Sequence, residues 1–362
     1  MSERNYRVAI VGATGVVGRE ALKILEDRGH PIHQIVAMGS DRSSGTRLPY
    51  ADGEIPITRA VPDAFEDVDI ALFCADSTTA RELAPAAAAR GVTVIDNSSA
   101  FRMDGGVPLV IPEVNGSHIE FVRSGQIIAN PNCSTIIMLV ALGPIHRAFG
   151  LEQIIVSTYQ AVSGAGRSGI DALRCETASV AGGLSPAPSY FPEPCAMNVF
   201  THESDLDPHS GLNGEELKMI HESRKILGDA HLRVVPTCVR VPVERVHSQS
   251  ITARLQRHAS REAIESVLGD SLAIDLWPRN GPRHPTPLAA AGTDRVSVGR
   301  VRVESAAEGC DVSLWVCGDQ LRKGAALNAI QIADHVWSRR RAGTSACTAP
   351  GMPHTERVRA CL

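Results

Sequence analysis

At 362 residues with 43% apolar side chains the chain is long enough for two cores, and a formal charge of -4 with 21% charged residues offers no basic stripe for nucleic acid. No apolar run approaches the roughly 18 residues that span a membrane, and Met1 to Tyr6 leads into a strand pattern without an apolar leader, so a cytoplasmic protein is expected. Nine cysteines without C-x-x-C pairs fit reduced thiols better than a disulfide frame or a zinc site, so no metal is expected, and 4% aromatic residues leave little for stacking on bases or sugars.

Arg7 to Val11 reads as a buried strand, followed by Gly12-Ala13-Thr14-Gly15-Val16-Val17-Gly18 and a helix with Val17, Ala21, Ile24, Leu25 and Arg28 at helical spacing. Glycines in such a turn let the backbone approach a pyrophosphate, and the free N–H groups of the helix start bind it. The spacing is G-x-x-G-x-x-G, so taken alone the turn also fits a purely structural bend. A second strand, Gln34 to Met38, leads into Gly39 to Gly45. There Arg42 with Ser40, Ser43 and Ser44 suits a 2′-phosphate and hence NADP, whereas Asp41 aimed at the ribose would suit NAD. Strands at Val68 to Cys74 and Val92 to Ile95, separated by the alanine-rich helix Ser77 to Arg90, continue the alternation of a parallel doubly wound sheet.

Asp96 to Arg102 leaves the last of these strands on the side where open α/β sheets hold ligands. Arg102 is there either a surface charge or an anion clamp. A short apolar run, Gln126 to Ala129, stops at Pro131, which cannot join a central ladder. Asn132 is a good N-cap, which sets Cys133 in the first turn of a helix carrying Ile136, Ile137, Val140 and Ala141. The positive helix end favours a thiolate, so Cys133 is expected to titrate below an ordinary thiol; a buried, inert cysteine is the plainer reading of position alone.

A second domain opens with the strand Ile154 to Gln160 and the small-residue loop Ala161 to Gly166, with Gln160 at the strand end. A helix around Gly169 to Val180 precedes a Pro-rich connection, Leu184 to Pro194, read as an irregular loop or an arm to a neighbouring subunit. The loop Glu203 to Leu212 carries no interpretable motif. Asn213 caps a helix, with Glu216 completing a capping box and Glu215 and Lys218 on one face. Leu232 to Val243 is strand-like and carries Arg240, with His247 beyond Pro242. A helix (Arg261 to Leu268), two strands (Val296 to Val303, Asp311 to Val316) and a closing helix (Gly324 to Arg340) follow; from about Ala342 the tail is expected to be disordered.

In this order, Gly12 to Gly18, Asn130 to Thr135, Gln160 to Gly166, Glu215 to Lys218 and Arg240 to Val243 with His247 resemble the aspartate-β-semialdehyde dehydrogenase family, over residues from about 6 to 340. The fold this implies is α/β: a Rossmann-like NADP-binding domain (1–132 and roughly 321–341), an α+β catalytic and dimerisation domain (133–320) like that of glyceraldehyde-phosphate dehydrogenase, and a tail at 342–362. The activity it implies is reversible NADPH-dependent reduction of L-4-aspartyl phosphate to L-aspartate 4-semialdehyde, on the way to lysine, threonine and methionine, by a cytoplasmic homodimer with no nucleic-acid or membrane partner. Carried over by position, Cys133 is the nucleophile, Gln160 orients the acyl group and His247 is the general acid/base. Arg240 takes the substrate carboxylate, Glu215 its amino group, Arg102 and Lys218 the phosphate, with Asn132 beside them. Gly12, Thr14, Gly15, Val16, Val17, Ser40, Arg42, Ser43, Ser163, Gly164 and Gln320 fall at cofactor contacts.

These residue types also suit the chemistry on their own terms. An acyl phosphate is not a direct hydride acceptor, and a thiolate converts it to a thioester that is one. A histidine is the group poised to move the proton near neutral pH, and arginine's planar fork matches a carboxylate. Two other readings stay open: an N-acetyl-γ-glutamyl-phosphate reductase, whose substrate has no free amino group for Glu215, and a non-catalytic NADP-binding protein.

Overall fold

The computed structural model describes residues 6–29, 35–278, 281, 283–306 and 308–347. It contains two seven-stranded sheets. The first is built from β1 (Val8–Val11), β2 (Ile35–Gly39), β3 (Arg47–Tyr50), β4 (Gly53–Arg59), β5 (Ile70–Phe73), β6 (Thr93–Asp96) and β7 (Ile127–Ala129), in the order β3-β4-β2-β1-β5-β6-β7. All pairs are parallel except β3 with β4. Every residue of β1 is buried, as a strand covered on both faces requires. The cover comes from α1 (Val16–Asp27), α2 (Ser77–Ala89), capped by Asp76, and the closing helix described below. Gln34, the expected start of the second strand, lies outside the described residues.

The β3–β4 hairpin extends this sheet beyond the strands expected from the sequence. Pro49 and Pro56, together with exposed charges such as Arg47 and Glu54, mask the pattern, and an edge pair is where a sheet accepts prolines. The short α3 (Pro112–Asn115) leads toward α4 (Cys133–Phe149), whose interior is buried from Ser134 to Ile145.

The second sheet packs on α4. Its strands are β8 (Leu151–Gln160), β9 (Phe200–Thr201), β10 (Arg233–Arg240), β11 (His247–Leu255), β12 (Ile274–Leu276), β13 (Val296–Ser305) and β14 (Cys310–Gly318), in the order β12-β13-β14-β11-β8-β10-β9. The intervening helices are α5 (Gly166–Ala181), α6 (Gly214–Leu227), α7 (Arg261–Gly269) and α8 (Pro287–Ala290). The capping box expected at Asn213 is formed in full with Glu216. The strand expected over Leu232 to Val243 ends at Arg240, and His247 was expected only beyond Pro242. The histidine instead begins β11, a central strand whose polar HSQS opening lacks the apolar run of its neighbours.

The closing segment starts as one π-helical turn, Arg322–Ala326, and continues as α9 (Leu327–Cys347), whose Leu327, Ile330, Ala333 and Val336 return to the core of the first sheet. Helix therefore continues through residues 342–347, which were expected to be disordered; the rest of the tail lies outside the described residues.

Candidate active site

Asn132 caps α4 by accepting from the Ser134 and Thr135 N–H groups at 3.0 and 3.1 Å, which holds Cys133 in the first turn. The Cys133 Sγ lies 3.3 Å from His247 Nε2. The Ala161 N–H donates to His247 Nδ1 at 3.0 Å, so the neutral ring carries its proton on Nε2 and donates toward the sulfur. The backbone on the other side of the ring is strained: Val246, a β-branched residue, has φ 81°. Its N–H donates to Gln320 Oε1 at 2.7 Å, and the Gln320 amide donates in turn to Ser163 Oγ. Gln320 and Ser163, expected only as cofactor contacts, thus also hold the backbone beside the histidine. Arg245, one residue further back, pairs with Glu20 on α1 at 3.0 Å and with Asp319 at 2.7 Å, which ties this loop to the first domain.

A cavity of about 300 Å³ opens over the thiol. Its wall brings together Val17, Arg102, Asn132, Cys133, Gln160, Ser163, Gly164, Glu215, Lys218, Arg240 and Gln320 from the expected set. Gly164 lies so close that a Cβ there would stand 3.2 Å from Arg240 Nη1 and 3.3 Å from His247 Cε1. Gly12, Thr14, Gly15, Val16, Ser40, Arg42 and Ser43 do not line this cavity. They occupy the turns after β1 and β2, and the Gly12 and Ala13 N–H groups both donate to Met38 O near the end of β2 at 3.0 Å. Those turns fit a dinucleotide. Gly12 has φ +81° and a Cβ there would sit 2.5 Å from Cys74 O, while one on Gly18 would sit 2.3 Å from Gly12 O. No side chain caps α1, which leaves its first N–H groups for an anion. Asp41, the residue that would favour an unphosphorylated ribose, is engaged by Arg59 on β4, and Arg42 is exposed.

The three cations carried over as substrate-carboxylate and phosphate contacts each have a carboxylate partner, and for Lys218 it is the i, i+3 neighbour Glu215 on the same helix face. Arg102 pairs with Glu222 at 3.0 Å and also donates to Asn130 O and Asn97 O. Lys218 pairs with Glu215 at 3.1 Å, and Arg240 with Glu203 at 2.6 Å. Glu215 also accepts from the Asn132 and Gln160 amides at 2.8 and 3.2 Å. Burial works to raise its pKa, but Lys218, His202 and the Asn132 amide outweigh that and leave it ionised, with a pKa of about 2. Glu222, Glu203 and His202 were missed in the sequence. Glu222 was within reach of the helical period, since 215, 218 and 222 fall at i, i+3 and i+7 on α6. Glu203 and His202 come from an irregular loop with no such signal.

The expectation of a low-pKa thiol is not met. Burial pushes Cys133 up to about 12, Glu215 adds to it, and the opposing charges of Arg102 and Lys218 do not prevail. His247 is pushed down to about 3, by burial first and then by the charge of Arg240. At rest near pH 7 the pair is a neutral thiol beside a neutral imidazole.

A dinucleotide-type sheet abutting a second, mixed sheet, with a part-buried thiol against a buried imidazole, is the arrangement of a two-domain α/β oxidoreductase. Residues 7–122 match the family described as "Semialdehyde dehydrogenase, NAD binding domain" and residues 142–323 the one described as "Semialdehyde dehydrogenase, dimerisation domain". The chain is 45% identical to the aspartate-semialdehyde dehydrogenase of Aquifex aeolicus, covering 91% of this chain and 97% of that one, and 41% identical to that of Bacillus subtilis over the same shares. Its structure matches aspartate semialdehyde dehydrogenase II of Vibrio cholerae complexed with ASA with a TM-score of 0.88 at 40% identity, covering 93% and 99% of the two chains. The chain belongs to the aspartate-semialdehyde dehydrogenase family, phosphorylating oxidoreductases of amino-acid biosynthesis.

Proposed function

We propose that this enzyme catalyses the reversible NADPH-dependent reduction of L-4-aspartyl phosphate to L-aspartate 4-semialdehyde and phosphate, through a thioester on Cys133. The observation that carries this reading is the 3.3 Å contact of the buried His247 with Cys133 Sγ, which faces a cavity lined by Arg102, Lys218 and Arg240. Cys133 attacks the acyl carbon as a thiolate, and phosphate leaves toward Arg102 and Lys218. The thiol proton goes to His247. For that Nε2 must be bare, so the ring proton shifts to Nδ1 and the Ala161 bond is given up. Arg240 holds the substrate carboxylate, Glu215 its ammonium, and Gln160 and Asn132 orient the acyl group. When bound, the nicotinamide supplies the hydride for the acyl carbon.

The cofactor contacts in this reading are Gly12, Thr14 to Val17, Ser40, Arg42, Ser43, Ser163, Gly164 and Gln320, with NADP preferred because Asp41 is drawn to Arg59. Residues 1–132 and roughly 321–341 form the NADP-binding domain, supported by α9 lying in the core of the first sheet; 133–320 form the catalytic and dimerisation domain. A homodimer is supported by the apolar outer face of the second sheet, where Ile155, Val235 and Tyr159 are 47%, 39% and 37% exposed. Among the described residues seven cysteines are free, which supports a cytoplasmic enzyme, and the family supports a role in lysine, threonine and methionine synthesis; among the described residues no helix is long and apolar enough to cross a membrane.

The test is phosphate-dependent reduction of NADP with L-aspartate semialdehyde, beside NAD and beside N-acetylglutamate semialdehyde. Turnover with the first pair that vanishes in Cys133→Ala is expected. Turnover with the acetylated substrate alone would redraw the roles of Glu215 and Arg240, and NADP binding without turnover would favour a non-catalytic protein.

A further inference from the structure

The three cation–carboxylate pairs of the cavity are not equivalent. Glu215 and Glu222 stand on α6 with side chains 5% and 2% exposed, and each is fixed by further donors: Glu222 accepts from the Asn132 N–H at 2.6 Å, and Glu215 from two amides. Glu203 is held far less firmly. Its side chain is 22% exposed, and it belongs to the irregular segment between the two-residue strand β9 and α6. Its described partners are Arg240 and, at 3.9 Å, the ring of His202. It also lines the cavity.

On Arg240, Glu203 takes the position a ligand carboxylate would need. Arg240 Nη2 donates to Glu203 Oε1 at 2.6 Å and Nε to Oε2 at 3.2 Å, the two parallel bonds of a guanidinium–carboxylate fork. The other edges are committed: Nη1 donates to Ala161 O at 2.8 Å, Nη2 meets His202 Nε2 at 3.0 Å, and the Phe191 ring covers one face at 5.3 Å. A second carboxylate can form the fork only where Glu203 already sits.

We propose that Glu203 is an internal occupant of the substrate-carboxylate clamp, which the incoming carboxylate displaces, so that this residue sets the affinity for substrate. The proposal rests on the reading that Arg240 binds the substrate carboxylate. The exchange replaces one carboxylate by another, so the buried guanidinium is neutralised in both end states, and only the minor released state between them leaves it unpaired. Glu203 can leave because its segment is irregular and partly exposed, whereas Glu215 and Glu222 are held by α6. The binding-competent fraction is the fraction of molecules with Arg240 released, and apparent affinity is reduced by that fraction.

The experiment compares wild type with Glu203→Gln, which keeps the side-chain shape, and Glu203→Ala. In both variants KM for L-aspartate semialdehyde is expected to fall about tenfold, as for a clamp free in about one molecule in ten, while KM for phosphate and for NADP stays within about twofold. Calorimetric titration with succinate, a plain carboxylate probe, is expected to show the same tightening. An unchanged or raised KM in Glu203→Gln, or a fall shared equally by phosphate, overturns the proposal, because a purely structural glutamate would leave Arg240 unpaired and weaken binding. Succinate binding needs no turnover. A wild-type enzyme inactive on the semialdehyde therefore refutes the proposed function, while tighter or unchanged succinate binding in the variants still decides the role of Glu203.

Discussion

The glycine turn after β1 and the cavity over Cys133 are built in opposite ways. Residues 12–18 are contiguous and act through backbone: a positive φ at Gly12, two positions without room for a Cβ and an uncapped helix start. The cavity is lined from eight separate stretches of chain, and its chemistry lies in balanced charges and in burial. A shape-built site fails when something is added, and it takes its domain down with it. A charge-built site fails when a group is removed, often with the fold intact.

The sharpest break between the two is Cys133→Ala, for which turnover is expected to drop by about 10⁴-fold or more with little change in thermal midpoint. Gly12→Ala is its counterpart. Left-handed strain and a clash with Cys74 O together should cost about 2–4 kcal/mol of stability in a denaturant melt and raise KM for the cofactor. A variant as stable as wild type would show that the turn is not shape-limited. Arg240→Lys keeps the charge but loses the fork, and should cost about 2–4 kcal/mol in kcat/KM for the semialdehyde with the melt nearly unmoved.

Two pH experiments sharpen the electrostatic half. Because Cys133 is pushed up to about 12, its alkylation by iodoacetamide should accelerate about tenfold per pH unit from pH 6 to 9 in the free enzyme. A plateau below pH 8 would contradict that. His247 and Glu215 both have folded pKa values below their ordinary ones, 6.5 to about 3 and 4.5 to about 2. Each contributes stability that is fully present above its ordinary value and is lost as pH falls toward the depressed one. The midpoint of unfolding should therefore begin to drop below about pH 6.5 and drop further below about pH 4.5, and the first phase should shrink in His247→Asn, with His202 and His146, also held below the ordinary histidine value, supplying the rest. The smallest effect returns to the turn region: Arg42→Ala should raise KM for NADP about tenfold, near 1.4 kcal/mol, and leave KM for NAD unmoved.

Much of this was legible in the chain. Gly12 to Gly18 announces a strand–turn–helix because glycine's backbone freedom and the helical period are local properties. Asn132 caps α4 and Asn213 caps α6 as their types and positions require, and Cys133 falls in a first turn for the same reason. The state of the thiol was not legible. Its pKa depends on burial and on Glu215, 82 residues away in sequence, and these outweigh the local field of the helix end. The pairing of Arg240 with Glu203 and the position of His247 in a central strand were hidden for a like reason. Neither the irregular loop nor the polar start of β11 carries a periodic signal.

By itself the sequence determined the elements, the caps, the glycine turn and the residue types the chemistry needs, because each depends on a few neighbouring residues and their intrinsic preferences. Only the tertiary structure decided which charges neutralise one another, that the thiol and the imidazole rest uncharged, and that Ala161 sets the proton on His247 Nε2. Those outcomes depend on distance and dielectric between groups far apart in the chain, and both exist only once the two sheets have packed.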